Sequence, residues 1–365
     1  MGNIESIDGQ NSKLMQSDAC NPERIAERFA HICAAVKNHQ LLTLNIEVTS
    51  ICNLRCAFCG MHGRKETANK KSENEKIKKH MSLELFKDIV KKCHGMSRFK
   101  ALFLHGLGEP LLNPHLVEMV RIARMAGIAE SIILITNGVL LKSELFKALV
   151  DAGVDVFRIS LDIIDPDMYC RIKGADLCEN VIKNIDACLT MIKMESLEIS
   201  MSIECKQSDA GEYYSRQTRE ISKYFLDKIS GLPKVNIRVV KLFNWNERDA
   251  QLVAIEEMKG GFLRKLPCEQ PFCIMMIHSD GDVSPCCCDA KKELIIGNIS
   301  SADHLRKFLF SEKLAEIRKS LLMQDYRGIL VCQYCDSNSG VDDVLLKNRE
   351  LALEILCQAS CGEIA

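Results

Sequence analysis

Apolar and polar residues alternate over 42–48 (Leu-Thr-Leu-Asn-Ile-Glu-Val), the period-two signature of a strand with two unlike faces. Short apolar runs recur at 101–105, 131–136, 154–160, 197–204 and 235–240. Between them lie stretches with helical spacing at 82–92, 114–127, 143–152, 175–194 and 213–229. Six strand–helix units of this kind predict an α/β fold with a parallel sheet, either doubly wound or a partial barrel. An additional helix over 22–38, with Pro22 at its first position, is expected to cap that barrel. A second, smaller unit follows a link at 244–264. It contains a hairpin signal at Asp280-Gly281, a helical stretch over 305–323 and a last helix over 341–357. The expected organisation is a tail and capping helix (1–40), a core barrel (41–245), a linker (246–264), a compact second unit (265–340) and a terminal helix (341–365). Residues 64–76 carry no apolar face and predict a solvated insertion; a lid over the neighbouring loop is the functional alternative.

Composition narrows the class. Of 365 residues 47% are hydrophobic and 27% charged, as in globular proteins, and 48 basic residues nearly balance 49 acidic ones. No global field therefore argues for nucleic acid or membrane. No apolar run has membrane-spanning length and the N-terminal residues lack the form of an export signal, so a cytoplasmic protein is expected. Nineteen cysteines then point to metal binding or catalysis rather than to disulfides.

Three of these cysteines, Cys52, Cys56 and Cys59, lie on one short loop directly after the first strand. Three thiolates suit a soft metal centre, and a 4Fe–4S cube on three cysteines keeps one iron open for chemistry. Zinc with His62 as a fourth ligand is the alternative. The polar motifs after the next strands all fall on the same rim as this loop: His105-Gly106-Leu107-Gly108-Glu109-Pro110, Asn137-Gly138 and Ser160-Leu161-Asp162. In parallel α/β folds that rim is where ligands bind.

The spacing C-x3-C-x2-C with Phe58 before the last cysteine resembles the radical SAM superfamily. The resemblance implies a partial (β/α)6 TIM-like barrel whose open iron binds S-adenosylmethionine (SAM). Gly106, Gly108 and Glu109 resemble that family's glycine-glycine-glutamate motif, with Leu107 replacing one of its paired glycines, and would hold the methionine amino group. Asn137, Ser160 and Asp162 match positions facing the ribose and the methionine. Arg171 and Lys173 resemble a segment near the SAM carboxylate, or form a solvated helix face. His94, His105 and His115 are read as structural.

The second unit resembles the SPASM auxiliary-cluster domain in its shortened, twitch form. Cys268, Cys286, Cys332 and Cys335 would hold a second 4Fe–4S cluster. Cys268 is preferred to Cys273, while Cys287 and Cys288 are read as spare thiols. Four ligands close the cube, so this cluster is expected to move electrons. Resemblance to aminocyclitol dehydrogenases implies hydrogen abstraction from a sugar, cyclitol or similar small molecule by a 5′-deoxyadenosyl radical. Oxidation would follow, with the auxiliary cluster as acceptor and a flavodoxin or ferredoxin as donor. Peptide or protein modification and epimerisation are the alternatives. The forty residues before the first strand are expected to be too few for a peptide-recognition domain.

Overall fold

The protein is described by a computed structural model covering residues 22–59, 61–62, 79–207, 212–241, 264–289, 291–333, 335 and 341–361. The expected tail, the insertion at 64–76 and nearly all of the linker lie outside these residues. Six strands alternate with helices: β1 (Thr43–Ile46), β2 (Phe99–Leu104), β3 (Ala129–Thr136), β4 (Val156–Ser160), β5 (Ser200–Gln207) and β6 (Val235–Lys241). The helices are α1 (Pro22–Lys37), α2 (Leu83–Lys92), α3 (Leu116–Ala126), α4 (Ser143–Ala152), α5 (Pro166–Lys173), α6 (Cys178–Met194) and α7 (Glu212–Ile229). The Ser82 hydroxyl accepts the Leu85 N–H at 3.1 Å and starts α2, whose Phe86 and Ile89 are buried. Full burial of such side chains contributes about 2–3 kcal/mol each.

The strands lie in the order β6-β5-β4-β3-β2-β1, all parallel and each beside its neighbour in sequence. Without a reversal of order, right-handed crossovers place every helix on one face of the sheet. This is a partial barrel, not a doubly wound sheet. Burial shows the same asymmetry. Leu102, Leu104, Leu134, Phe157 and Ile203 are fully covered on the helix side. Their alternates Phe103, Ile133, Ile135, Arg158 and Ser202 are only half-buried. The face of the central strands turned away from the helices is therefore only partly covered.

The sheet continues beyond β1. Strand β7 (Ile274–Ile277), reached after short helix α8 (Gln270–Cys273), pairs parallel to β1 with Thr43 beside Ile274 and Ile46 beside Ile277. Strands β8 (Asp282–Ser284) and β9 (Gly297–Asn298) then add antiparallel, giving nine strands in one sheet among the described residues. The Asp280-Gly281 hairpin forms as expected, with Gly281 at φ 91°. The helices that follow are α9 (Glu312–Leu322), α10 (Leu330–Gln333), α11 (Val341–Lys347) and α12 (Arg349–Cys361).

Three sequence expectations need correction. The helix expected from 175 is preceded by a separate helix, α5, capped by Asp165, whose side chain accepts the Met168 N–H at 2.9 Å, and ended at Gly174. The last helix is two, α11 and α12. Helix α1 packs on α8, α11 and α12, so Ile32 and Val36 join Phe272, Leu321 and Leu345 in a second core and not the barrel core. Among the described residues no helix is long and apolar enough to cross a membrane.

Candidate active site

The loop after β1 places Cys52, Cys56 and Cys59 half-buried at the carboxyl end of the sheet. Backbone bonds hold its shape. Arg55 N–H donates to Lys173 O at 3.0 Å, Ala57 N–H to Ile172 O at 2.7 Å and Cys59 N–H to Cys56 O at 2.9 Å. Leu54 N–H points at Cys52 Sγ (3.5 Å) and His62 N–H at Cys59 Sγ (3.3 Å). Burial, together with Glu109 and the other two thiols, pushes the Cys52 thiol up to about 11; burial also raises Cys56. Thiols held up in this way become thiolates by exchanging their protons for a cationic centre. Sulfur-only donors with N–H groups aimed at them fit an iron–sulfur cluster. Among the described residues, no three His, Cys, Asp or Glu side chains converge as a single metal ion requires.

The next loop is fitted against this one at van der Waals limits. A Cβ on Gly108 would lie 2.3 Å from Thr49 O and 2.5 Å from Ile51 O, and one on Gly106 would lie 2.6 Å from Glu47 Cβ. Only glycine allows that approach. Glu109 N–H then donates to Ile51 O at 2.8 Å, and the Glu109 side chain is buried. Its carboxylate accepts Thr136 Oγ1–H at 2.6 Å, Asn137 N–H at 2.7 Å and Leu111 N–H at 3.1 Å. Burial still outweighs these bonds and raises the Glu109 pKa. Asn137 reaches back to Asn53 Oδ1 at 2.7 Å. Gly106, Gly108, Glu109 and Asn137 therefore gather around the cysteine loop.

Ser160 and Asp162 form the far corner. Asp162 sits at φ 65° and is buried. It pairs with Lys173 and with Lys206 Nζ (3.1 Å), and accepts the Lys206 N–H at 3.1 Å. Burial would raise the Asp162 carboxyl, but the two ammonium groups hold it below its ordinary value. Lys173 also donates to Ser160 O at 3.0 Å and Lys206 to Ser160 Oγ at 3.4 Å. The two readings of the 171–173 segment separate here: Arg171 is exposed, whereas Lys173 is 1% exposed.

In the second unit Cys268, Cys286, Cys332 and Cys335 are half-buried. Burial raises Cys268 and Cys332, and Cys286 adds to the shift of both. Arg264 braces this group, donating to Cys335 O at 3.2 Å and Leu266 O at 2.7 Å and pairing with buried Asp342 at 2.8 Å. Cys273 is fully buried among Phe272 and Ile274, its thiol on Glu269 O at 3.5 Å, and the groups that perturb it are Glu269, Arg28, Arg318 and Asp342. Asp289 holds the turn after Cys286 by accepting Glu293 N–H and Leu294 N–H, both at 2.8 Å. Cys287 contacts Gln270 Oε1 at 3.5 Å, and its hydrogen bond with the Cys288 thiol lowers it, with a smaller contribution from Arg158.

Several residues at this site escaped the sequence reading. Glu47, one residue past β1, accepts Leu107 N–H at 2.9 Å and Ser279 N–H at 3.0 Å, with His278 Nδ1 at 3.6 Å. On the same half-buried face of the sheet Arg158 pairs with Glu204 at 2.5 Å and Arg238 with the same carboxylate at 3.5 Å. Loss of solvent, aided by Arg158, pushes His105 down to about 4. The available signal was a lone charge inside an apolar strand, as in Phe157-Arg158-Ile159 and Ile203-Glu204-Cys205.

Comparison with known proteins matches residues 46–196 to the radical SAM superfamily and residues 268–336 to SPASM, an iron–sulfur cluster-binding domain. A GTP 3′,8-cyclase of Chlorobaculum tepidum is 37% identical over 146 residues, 40% of each chain. A tungsten-containing aldehyde ferredoxin oxidoreductase cofactor-modifying protein of Pyrococcus furiosus is 34% identical over 122 residues, 33% of this chain and 31% of that one. The chain thus spans less than half the length of these two curated relatives. Among solved structures, BtrN in complex with AdoMet and 2-DOIA aligns over 81% of this chain and 93% of its own, with TM-score 0.51 and 18% identity. Native anSMEcpe with bound AdoMet aligns over 87% and 98%, with TM-score 0.55 and 16% identity. Both likenesses concern the fold.

Proposed function

We propose that this chain, a radical SAM enzyme with a SPASM domain, oxidises a small molecule by removing hydrogen from it. A radical SAM domain binds a 4Fe–4S cluster and SAM, and a SPASM domain binds auxiliary iron–sulfur clusters. When bound, these groups supply a carbon radical that takes hydrogen from an unreactive C–H bond and an acceptor for the second electron. Cys52, Cys56 and Cys59 hold the first cluster; Cys268, Cys286, Cys332 and Cys335 hold the auxiliary one. Glu109, fixed by Thr136 and Asn137, with Gly106 and Gly108, shapes the SAM pocket, and Ser160 and Asp162 close its far corner. An external flavodoxin or ferredoxin supplies electrons.

One observation carries this reading. The Cys52–Cys59 loop follows β1, and Cys268 and Cys286 flank β7 and β8 of the same sheet, whose half-buried face carries the paired charges Arg158, Glu204 and Arg238. Such a charged face suits a polar small molecule held by hydrogen bonds. Relatives whose name specifies GTP, a small molecule, support that class. Iron and sulfide analysis of anaerobically prepared protein tests the cofactors: about eight irons per chain are expected for two cubes, and bound zinc would refute the scheme. Cys268→Ala tests the acceptor. This variant should still cleave SAM to 5′-deoxyadenosine but form no oxidised product; undiminished product would overturn the assignment.

A further inference from the structure

We propose that the buried trio Lys173, Asp162 and Lys206 is a fixed positive charge that sets the one-electron potential of the cluster on Cys52, Cys56 and Cys59. The inference rests on that assignment of the three cysteines. Two ammonium groups share one carboxylate, so one net positive charge stays on the trio. Both Nζ atoms lie over the Phe58 ring, at 5.5 Å for Lys173 and 5.1 Å for Lys206. Phe58 is the residue between Ala57 and Cys59, so the excess charge faces the cysteine loop across one aromatic ring. The neighbouring Glu204 does not cancel it, because Arg158 and Arg238 already share that carboxylate.

The attachment is rigid. Helix α5 ends on the cysteine loop through Ile172 O and Lys173 O, which accept Ala57 and Arg55 N–H. The Lys173 side chain then turns back to Ser160 and Asp162 without reaching solvent. Burial of two cations beside one anion is costly unless another negative group benefits. A cluster on the loop beyond Phe58 would supply that negative group, and both ammonium groups stand over the Phe58 ring. Reduction adds one more negative charge at the same place. A nearby positive charge in a poorly solvated site stabilises the reduced form, and net charge is a recognised determinant of cluster potential. Leu54 and His62 N–H act on Cys52 and Cys59 at 3.5 and 3.3 Å; the two lysines add a full charge across Phe58.

The test is an EPR-monitored redox titration of the full chain carrying its iron–sulfur clusters, following the signal that SAM addition alters. Lys206→Met removes one cation at the half-buried edge and should favour the oxidised form about tenfold at fixed potential, a shift of 59 mV to more negative values for one electron. Lys206→Arg should restore the parental value. Asp162→Asn keeps the shape and tolerates the positive φ, yet removes the anion, so it should shift the potential the opposite way. Loosened packing would not give opposite signs. Equal shifts, or none, in the two variants would overturn the proposal. A parental chain with no SAM-sensitive signal, or one whose signal survives Cys56→Ala, would instead remove the cluster assignment, and the proposal with it.

Discussion

Glu47 accepts the backbone N–H of Ser279 at 3.0 Å across 232 positions of sequence. Its other oxygen takes Leu107 N–H of the glycine loop, so one buried carboxylate joins the barrel rim to the second unit. Burial alone would raise this carboxyl, but His278 and the two N–H groups hold it below its ordinary value. Glu47→Gln places an amide donor against one of two N–H donors and should cost about 1–3 kcal/mol. Because the folded pKa is depressed, the stabilisation is complete above about pH 4.5 and fades as pH falls through the folded value. Urea denaturation at pH 7 and pH 4 should show the parent–variant gap narrowing at the lower pH.

His105 acts in a different window. With its pKa pushed down to about 4 against an ordinary 6.5, it stays neutral in the folded chain while the unfolded chain gains a proton. Stability should therefore drop as pH falls from about 6.5 to 4, by about 3 kcal/mol for this group. His105→Gln should flatten that segment of the stability–pH curve, and an unchanged slope would show that other groups cause it.

Gly108→Ala should be far more damaging than a methyl group normally is. The added carbon meets two backbone carbonyl oxygens of the cysteine loop, and neither can yield without moving Cys52. A loss of about 3 kcal/mol or more is expected. Iron content at the SAM-sensitive cluster should fall with it, measured by EPR spin quantitation.

The buried Cys273 and the half-buried Cys268 should separate cleanly. Cys273→Ala removes packing and should cost about 1–2 kcal/mol while the iron content stays at its parental value. Cys268→Ala should lower iron by about four atoms per chain. The analogous Cys288→Ala should leave iron unchanged.

Local signals explain what the sequence revealed. Cys52, Cys56 and Cys59 lie within eight positions, and Glu109 and Asn137 follow strands whose alternation is plain. Helix α5 was also marked, by Asp165-Pro166 at its start and Gly174 at its end, although the expectation of one helix from 175 passed over it. The partners of Asp162 were harder to see. Lys173 is near in sequence, but Lys206 comes from another strand, and a lysine's burial follows from its neighbours in space. The pairing of β7 with β1 joins residues about 230 positions apart, and no periodicity encodes such a register. Glu47 looked like one more polar residue of an alternating strand because both its N–H donors come from elsewhere.

That pairing has a consequence for how the chain can be divided. Strand β1 has β2 on one side and β7 on the other, so removing the second unit would bare a row of backbone donors and acceptors along an apolar strand. Such an open edge invites association with other chains. A cut within 242–263 should therefore not yield a barrel that stands alone. Its two fragments should remain soluble only when supplied together, by recovering their shared edge in trans.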